Sequence, residues 1–248
     1  EGGKKKKNMN YFVLILLILI FFIFFFMFCS FSSFLSKSLI LSFFFLKSGS
    51  ANASTSSSSG NSSFPDVAQI ANVPFAVGPS NLRWPTITKH TRGNEVPYKK
   101  LDGKYVGNAA RSFGVPRSDG VRKHAAIDLY CYGNDVVVAM ESGTVVGIQG
   151  FLGPTKALVI QGDSGVVSLY GEIKNNSWSE FDIKKGTKVK AGQPIARIGI
   201  NDAGTSMLHF ETYTKGTTQN AQWKGSPPSN LLNPTKYLLQ AQKNFNKS

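Results

Sequence analysis

Cysteine, histidine and acidic side chains are all scarce in this chain of 248 residues. Cys29 and Cys131 are the only cysteines, which excludes a disulfide scaffold. Cys131, alone in the polar part of the chain, is expected to be a small buried thiol. His90, His124 and His209 are the only histidines, so any imidazole chemistry must use these three. After residue 47 no apolar run approaches the roughly 18 to 20 residues that span a bilayer, which excludes a multi-pass membrane protein. Asp and Glu number 14 against 28 Lys and Arg. No stripe of interleaved basic and aromatic residues accompanies that basic excess, and nucleic acid is not an expected partner.

What is present divides unevenly. Twelve of the 19 Phe fall in residues 1–47. There Lys4 to Lys7 precede a stretch, Tyr11 to Phe28, that carries no charge. Basic residues before such a run hold the N-terminal flank in the cytoplasm and send the rest across. Residues 1–47 are therefore expected to be a signal peptide or a signal-anchor transmembrane segment, with the remainder secreted or membrane-anchored outside the cytoplasm. Residues 48–63, nearly all Ser, Gly, Asn, Ala and Thr, are a flexible linker by composition. Residues 48–248 hold 22 Lys and Arg against 13 Asp and Glu, a net of +9. That charge would draw them to anionic wall polymers or lipid headgroups.

Brief β-branched runs follow, at 135–140, 144–148, 157–160, 166–170, 188–190, 194–198 and 207–213, with glycines between them. Strands this short with such frequent turns predict an all-β domain, a sandwich or barrel-sandwich hybrid of antiparallel strands, over residues 105–242. The phrases GNDVVVAMESGTVVGI (133–148) and KGTKVKAGQPIARIGI (185–200) each read as strand, glycine turn and strand, which suggests a duplicated unit. One helix is expected at the end. Asn233 would cap it, Pro234 would open it, and Tyr237, Leu238 and Leu239 would dock on the core. The Pro-rich residues 64–104 are expected to wrap the core without a regular element, and 243–248 to form a tail.

Two histidines stand in metal-like contexts. His124 and Asp128 lie four apart in RKHAAIDLY, where the chain turns into a strand. His209 lies in SMLHFETY, where period two puts Met207, His209 and Glu211 on one face and Leu208 and Phe210 on the other. Two imidazoles and one carboxylate, with a fourth position left to water, are the ligand count of a catalytic zinc site. Each residue alone is more ordinary: a surface pair for His124 and Asp128, a satisfied histidine for His209. His90 is expected in a solvated loop.

Together these segments resemble the lysostaphin-like (LytM-type, beta-lytic) zinc metalloendopeptidases, whose core is the duplicated hybrid motif. RKHAAIDLY is similar to that family's His-x-x-x-Asp motif and MLHFE to its His-x-His strand. SLYGEI (168–173) is similar to its Tyr-Gly-His segment, VKAGQPIARIG (189–199) to the phrase between, and RSFGVPR (111–117) to the segment before the first ligand. The resemblance covers about residues 109–240. It implies Zn2+ on His124, Asp128 and His209, and hydrolysis of peptide bonds in peptidoglycan crosslinks. Two positions that hold histidine in the family hold Glu172 and Met207 here. Met207 can hold no proton, whereas Glu172 can act as general base near the metal. Tyr170, Met207 and Glu211 are candidate supports for the site. Two functions stay open: a cell-wall peptidase, or an inactive zinc-binding module that recognises a wall polymer or a protein.

Overall fold

Short β-branched runs punctuated by glycine form the strands of the protein, which a computed structural model describes over residues 72–101, 104–117 and 120–247. The expected leader (1–47) and linker (48–63) lie outside the described residues. Among the described residues no helix is long and apolar enough to cross a membrane.

The strands in chain order are β1 (Thr86–Ile87), β2 (Tyr98–Leu101), β3 (Lys104–Gly107), β4 (Arg122–Lys123), β5 (Ile127–Tyr130), β6 (Val136–Val138), β7 (Gly143–Gly150), β8 (Lys156–Gly162), β9 (Val167–Ile173), β10 (Lys188–Val189), β11 (Pro194–Arg197), β12 (Met207–Tyr213), β13 (Trp223–Lys224) and β14 (Leu231–Leu232), and helix α1 (Thr235–Phe245) follows. The main antiparallel sheet runs β10, β7, β8, β9, β12, β14, with β5 sharing the outer edge of β12 with β14. A smaller sheet has the order β1, β6, β11. This is the all-β architecture that the strand spacing predicts.

The two similar phrases pair crosswise. The first strand of one unit (β6) lies against the second of the other (β11), and β7 lies against β10. Both sheets contribute to one buried cluster that includes Val137, Leu158, Ile160, Ile195 and Phe210. All seven residues of β9 are buried, as a central strand covered on both faces requires. Phe210 meets Tyr170 edge to face at 5.4 Å and stacks on Tyr237 of α1 at 6.4 Å.

Helix α1 begins one residue later than its sequence suggests, at Thr235, with Pro234 in the capping position. Asn233 Oδ1 accepts the Thr235 backbone N–H at 3.0 Å, and Tyr237 and Leu238 are buried. It runs on to Phe245, so three residues expected in the tail are helical.

Residues 64–104 depart from the expectation of a segment without regular structure. β1 lengthens the smaller sheet by pairing with β6, and β2 and β3 form a hairpin in which Leu101 pairs with Lys104. The two residues left between them, Asp102 and Gly103, are a strong hairpin signal. The high proline content nearby hid it.

One buried carboxylate ties α1 to the sheet. Glu141 Oε1 accepts the Tyr237 hydroxyl at 2.7 Å and the Ser164 hydroxyl at 2.8 Å. Removing one donor leaves a buried charge less well satisfied, at a cost of about 1–3 kcal/mol. Tyr237→Phe should therefore lower the denaturant midpoint by an equivalent amount with an unchanged slope; an unchanged midpoint would show that this contact does not hold the helix.

Candidate metal centre

Strand register assembles the centre. Across three neighbouring strands, His209 of β12 lies directly opposite Asp128 of β5 on one side and Gly171 of β9 on the other. Directly paired residues share a face, so Asp128 and His209 project from a rigid sheet toward the same point. His124 precedes β5 and is held by its backbone: its N–H donates to the Val115 carbonyl at 2.9 Å, and its carbonyl accepts from Gly114 N–H at 2.7 Å. The RSFGVPR segment thus straps the loop that carries His124. It adds the buried side chain of Phe113, whose ring packs 5.4 Å from Trp223.

Three donor atoms converge: His124 Nε2 is 3.1 Å from Asp128 Oδ1, His209 Nδ1 is 2.9 Å from the same oxygen, and the two nitrogens are 3.5 Å apart. Ligands bound at about 2.0–2.1 Å around a tetrahedral zinc stand about 3.3 Å from one another, so the triangle fits such an ion. The outward nitrogens settle the tautomers. His124 Nδ1 faces the Ser112 carbonyl at 2.9 Å, which can only accept, and His209 Nε2 faces Glu211 Oε1 at 2.9 Å. Each outer nitrogen therefore carries the proton and each inner one presents a lone pair, the arrangement that metal-binding histidines have. Asp128 and Glu211 are both buried, and a divalent cation would balance their two charges.

Glu211 is itself anchored. Its Oε2 accepts the Tyr213 hydroxyl at 2.6 Å, and that oxygen accepts the Ala221 N–H at 2.9 Å. Burial beside Glu211 pushes the Tyr213 hydroxyl up, so it stays a donor. On the other side, Arg117 reaches Asp128 Oδ2 at 3.3 Å.

Without a cation, a proton must relieve the convergence. Burial pushes the His209 imidazole down, but hydrogen bonds to Asp128 and Glu211 and their charges outweigh it and raise it to about 10. Burial opposes ionisation of Asp128 as well, yet the charge and hydrogen bonds of the two histidines hold it well below the usual carboxylate range. Burial lowers the His124 imidazole from its ordinary value, and the neighbouring Asp128 partly offsets this.

The centre opens into a cleft of about 700 Å³ whose lining includes His124, His209, Glu172, Glu211, Phe151 and Arg117. Glu172 reaches it through its backbone. Strict alternation would put residue 172 on the core face with Tyr170, but Glu172 has φ 59, the left-handed region, and this turns its carboxylate to the metal side. Such a conformation costs a non-glycine residue roughly 1–2 kcal/mol and persists only where the surroundings enforce it. Burial raises the Glu172 carboxyl above its ordinary value, and the neighbouring His209 partly offsets this. Gly171 leaves room for the Phe151 ring, two of whose carbons would lie 3.0 Å from a Cβ there. That ring stands 5.0 Å from the imidazole of His209.

The structure thus brings His124, Asp128, His209, Glu172 and Glu211 together and keeps two other expected residues away. Tyr170 lies in the core, where its hydroxyl accepts the Met140 N–H at 2.9 Å. Met207 starts β12 opposite Tyr130 and is not part of the cleft lining. His90 is half-buried in a loop and accepts the Arg92 N–H on Nδ1. Ser112, Tyr213, Phe151 and Asn201 are site residues that the sequence does not mark: Ser112 and Tyr213 lie inside segments that stand out, but neither residue type nor spacing assigns them a role there.

The raised His209 value has a testable sign. In the metal-free protein its protonation adds stability that is complete below about pH 6.5 and is lost as the pH rises through about 10. A bound metal must displace that proton. Calorimetry at pH 7.5 in buffers of different ionisation enthalpy should show about one proton released per zinc bound; no release would contradict a protonated His209.

Comparisons with known proteins bear on the same stretch of chain. Residues 122–221 match the model of peptidase family M23. A comparison with curated protein sequences gives no match. Among solved structures, the chain is similar to the catalytic domain of the antimicrobial peptidase lysostaphin from Staphylococcus simulans, at 20% identity over 52% of this chain and 89% of that one, TM-score 0.41. It is similar to a zinc-containing peptidase from Vibrio cholerae, at 18% identity over 60% and 41%, TM-score 0.39. Csd3 from Helicobacter pylori is a third, at 20% identity over 70% and 40%, TM-score 0.35. The chain spans 51% of a longer lysostaphin structure. The stretch that matches the model of peptidase family M23, residues 122–221, holds all three converging donors and Glu172.

Proposed function

We propose that this chain is an exported zinc endopeptidase that hydrolyses peptide bonds in peptidoglycan crosslinks. The observation that carries the reading is the set of three converging donors with fixed tautomers, two of them on the floor of an open cleft and Glu172 beside them. When bound there, zinc supplies Lewis acidity, polarising the scissile carbonyl and making water acidic enough to attack near neutral pH.

The chain's own residues do the rest. Ser112 and Glu211 orient the two imidazoles, and Arg117 holds the outer oxygen of Asp128. Glu172 takes the proton of the attacking water and passes it to the amine as the carbon–nitrogen bond breaks. A carboxyl raised by burial suits both halves of that transfer, since its affinity for the proton moves toward the working pH. Met207 takes no part. The apolar N-terminal segment would deliver the domain outside the cytoplasm, secreted or anchored. There its basic excess would favour anionic wall polymers or lipid headgroups.

The alternative is a zinc-binding module that recognises wall polymer or a protein without cutting it. It is favoured by one observation: of the two positions where the resemblance places histidines, Met207 carries no ionisable group and lies outside the cleft lining.

Turnover of purified peptidoglycan and of glycyl peptides, measured beside zinc content, decides between them. Wild type should cleave; Glu172→Gln should keep its zinc and lose about 10²- to 10⁴-fold in kcat; His209→Ala should lose the zinc. Bound zinc without cleavage of any wall type would favour the module, and equal turnover of wild type and Glu172→Gln would remove Glu172 from the mechanism.

A further inference from the structure

The loop between β11 and β12 grips Glu172 at two points. The Gly199 N–H donates to the Glu172 backbone carbonyl at 2.8 Å, next to the left-handed φ that turns the side chain into the cleft. Asn201 Nδ2 donates to the carboxylate at Oε2, 3.1 Å away.

Asn201 is the hub of that loop, and nearly all its polar capacity is spent inside it. Its backbone N–H donates to the Thr205 carbonyl at 3.0 Å, and its carbonyl accepts the Gly204 N–H at 2.9 Å. Its Oδ1 accepts the N–H groups of Ala203 and Thr205, each at 3.1 Å, and the Thr205 hydroxyl at 2.9 Å. Two backbone N–H donors on one side-chain atom identify that atom as oxygen, so the amide cannot be flipped and the NH₂ must face Glu172. An aspartate could organise the loop through the same oxygen. Only the NH₂ distinguishes asparagine here, and its hydrogen bond goes to Glu172.

We propose that Asn201 is the positioning residue of the general base. It occupies Oε2 of Glu172 with a neutral donor, fixes the rotamer, and leaves Oε1 to exchange protons with water and the leaving amine. The inference rests on the reading of Glu172 as that base. Asn201 touches neither substrate nor metal donors and acts only through Glu172.

The test uses Asn201→Asp, which retains the acceptor the loop needs and puts a carboxylate oxygen, with its negative charge, where the donor was, and sets beside it Asn201→Ser, which removes the donor without adding charge. In the full chain, held in mild detergent, both variants should keep their zinc content and thermal midpoint. Their kcat on purified peptidoglycan should fall by about 10- to 100-fold with KM little changed, as misplacement of a reacting group does. In the Glu172→Gln background either change should have no further effect on kcat; additive losses would overturn the role. A readout independent of activity comes from selective ¹⁵N-asparagine labelling. The Asn201 side-chain NH₂ should be protected from exchange in wild type and unprotected in Glu172→Ala, and fast exchange in wild type would overturn the contact. Should the aspartate variant fail to fold, Asn201→Ser, whose hydroxyl still accepts from the loop, gives the same readings. Equal turnover of wild type and Glu172→Gln would instead sink the base reading, which is distinct from additivity between the two sites.

Discussion

Three lone pairs pointed at one buried spot repel one another unless a cation or a proton sits between them. His124 Nε2, Asp128 Oδ1 and His209 Nδ1 are in that position, all within 4.8 Å of one another. Much of the surrounding structure can be understood as holding them there. The direct opposition of Asp128 and His209 across β5 and β12 sets one edge of the triangle. The Ser112 carbonyl and the Glu211 carboxylate use up the outer nitrogens, so neither imidazole can rotate its proton inward without giving up a buried hydrogen bond. Tyr213 then holds Glu211, and Ala221 of the cleft wall holds Tyr213. The order of support runs inward from the cleft wall to the donors, which is how outer partners tune a metal's ligands.

Rigid strands and adaptable loops divide the work. The donors Asp128 and His209 stand on paired strands, where a displacement would disturb the ladder. Glu172 sits at the end of β9, where the backbone leaves the extended region, and the 199–206 loop reaches back to hold both its carbonyl and its carboxylate. A proton carrier must be placed with care yet be able to change charge, and a carboxyl raised by burial while accepting one neutral donor meets both needs. His209 and Asp128 shift in opposite directions from their ordinary values because each stabilises the charged form of the other.

The sequence made the donors legible and left their supports obscure. Met207–Tyr213 alternates so cleanly that its strand has the bounds expected of it, and period two alone places His209 and Glu211 on one face. The crosswise pairing of the two similar phrases follows from their likeness. Two-residue strands such as β4 and β13 exist only because a partner lies opposite, and no local pattern announces them. Glu172 could be named as a candidate, but not how it enters the cleft, since a positive φ on a charged residue has no signature in composition or period. Asn201 escaped for a related reason. Its neighbours Ala203 and Thr205 make it look like an ordinary turn asparagine, and its one distinctive bond crosses to another strand.

X-ray absorption at the zinc edge of the purified full chain tests the central claim most directly. The account predicts one zinc per chain in a four-coordinate shell of nitrogen and oxygen at about 2.0–2.1 Å, with two imidazoles, one carboxylate and one exchangeable oxygen. A chain that takes up no zinc, or one whose shell contains sulfur or fewer than two imidazoles, would contradict it.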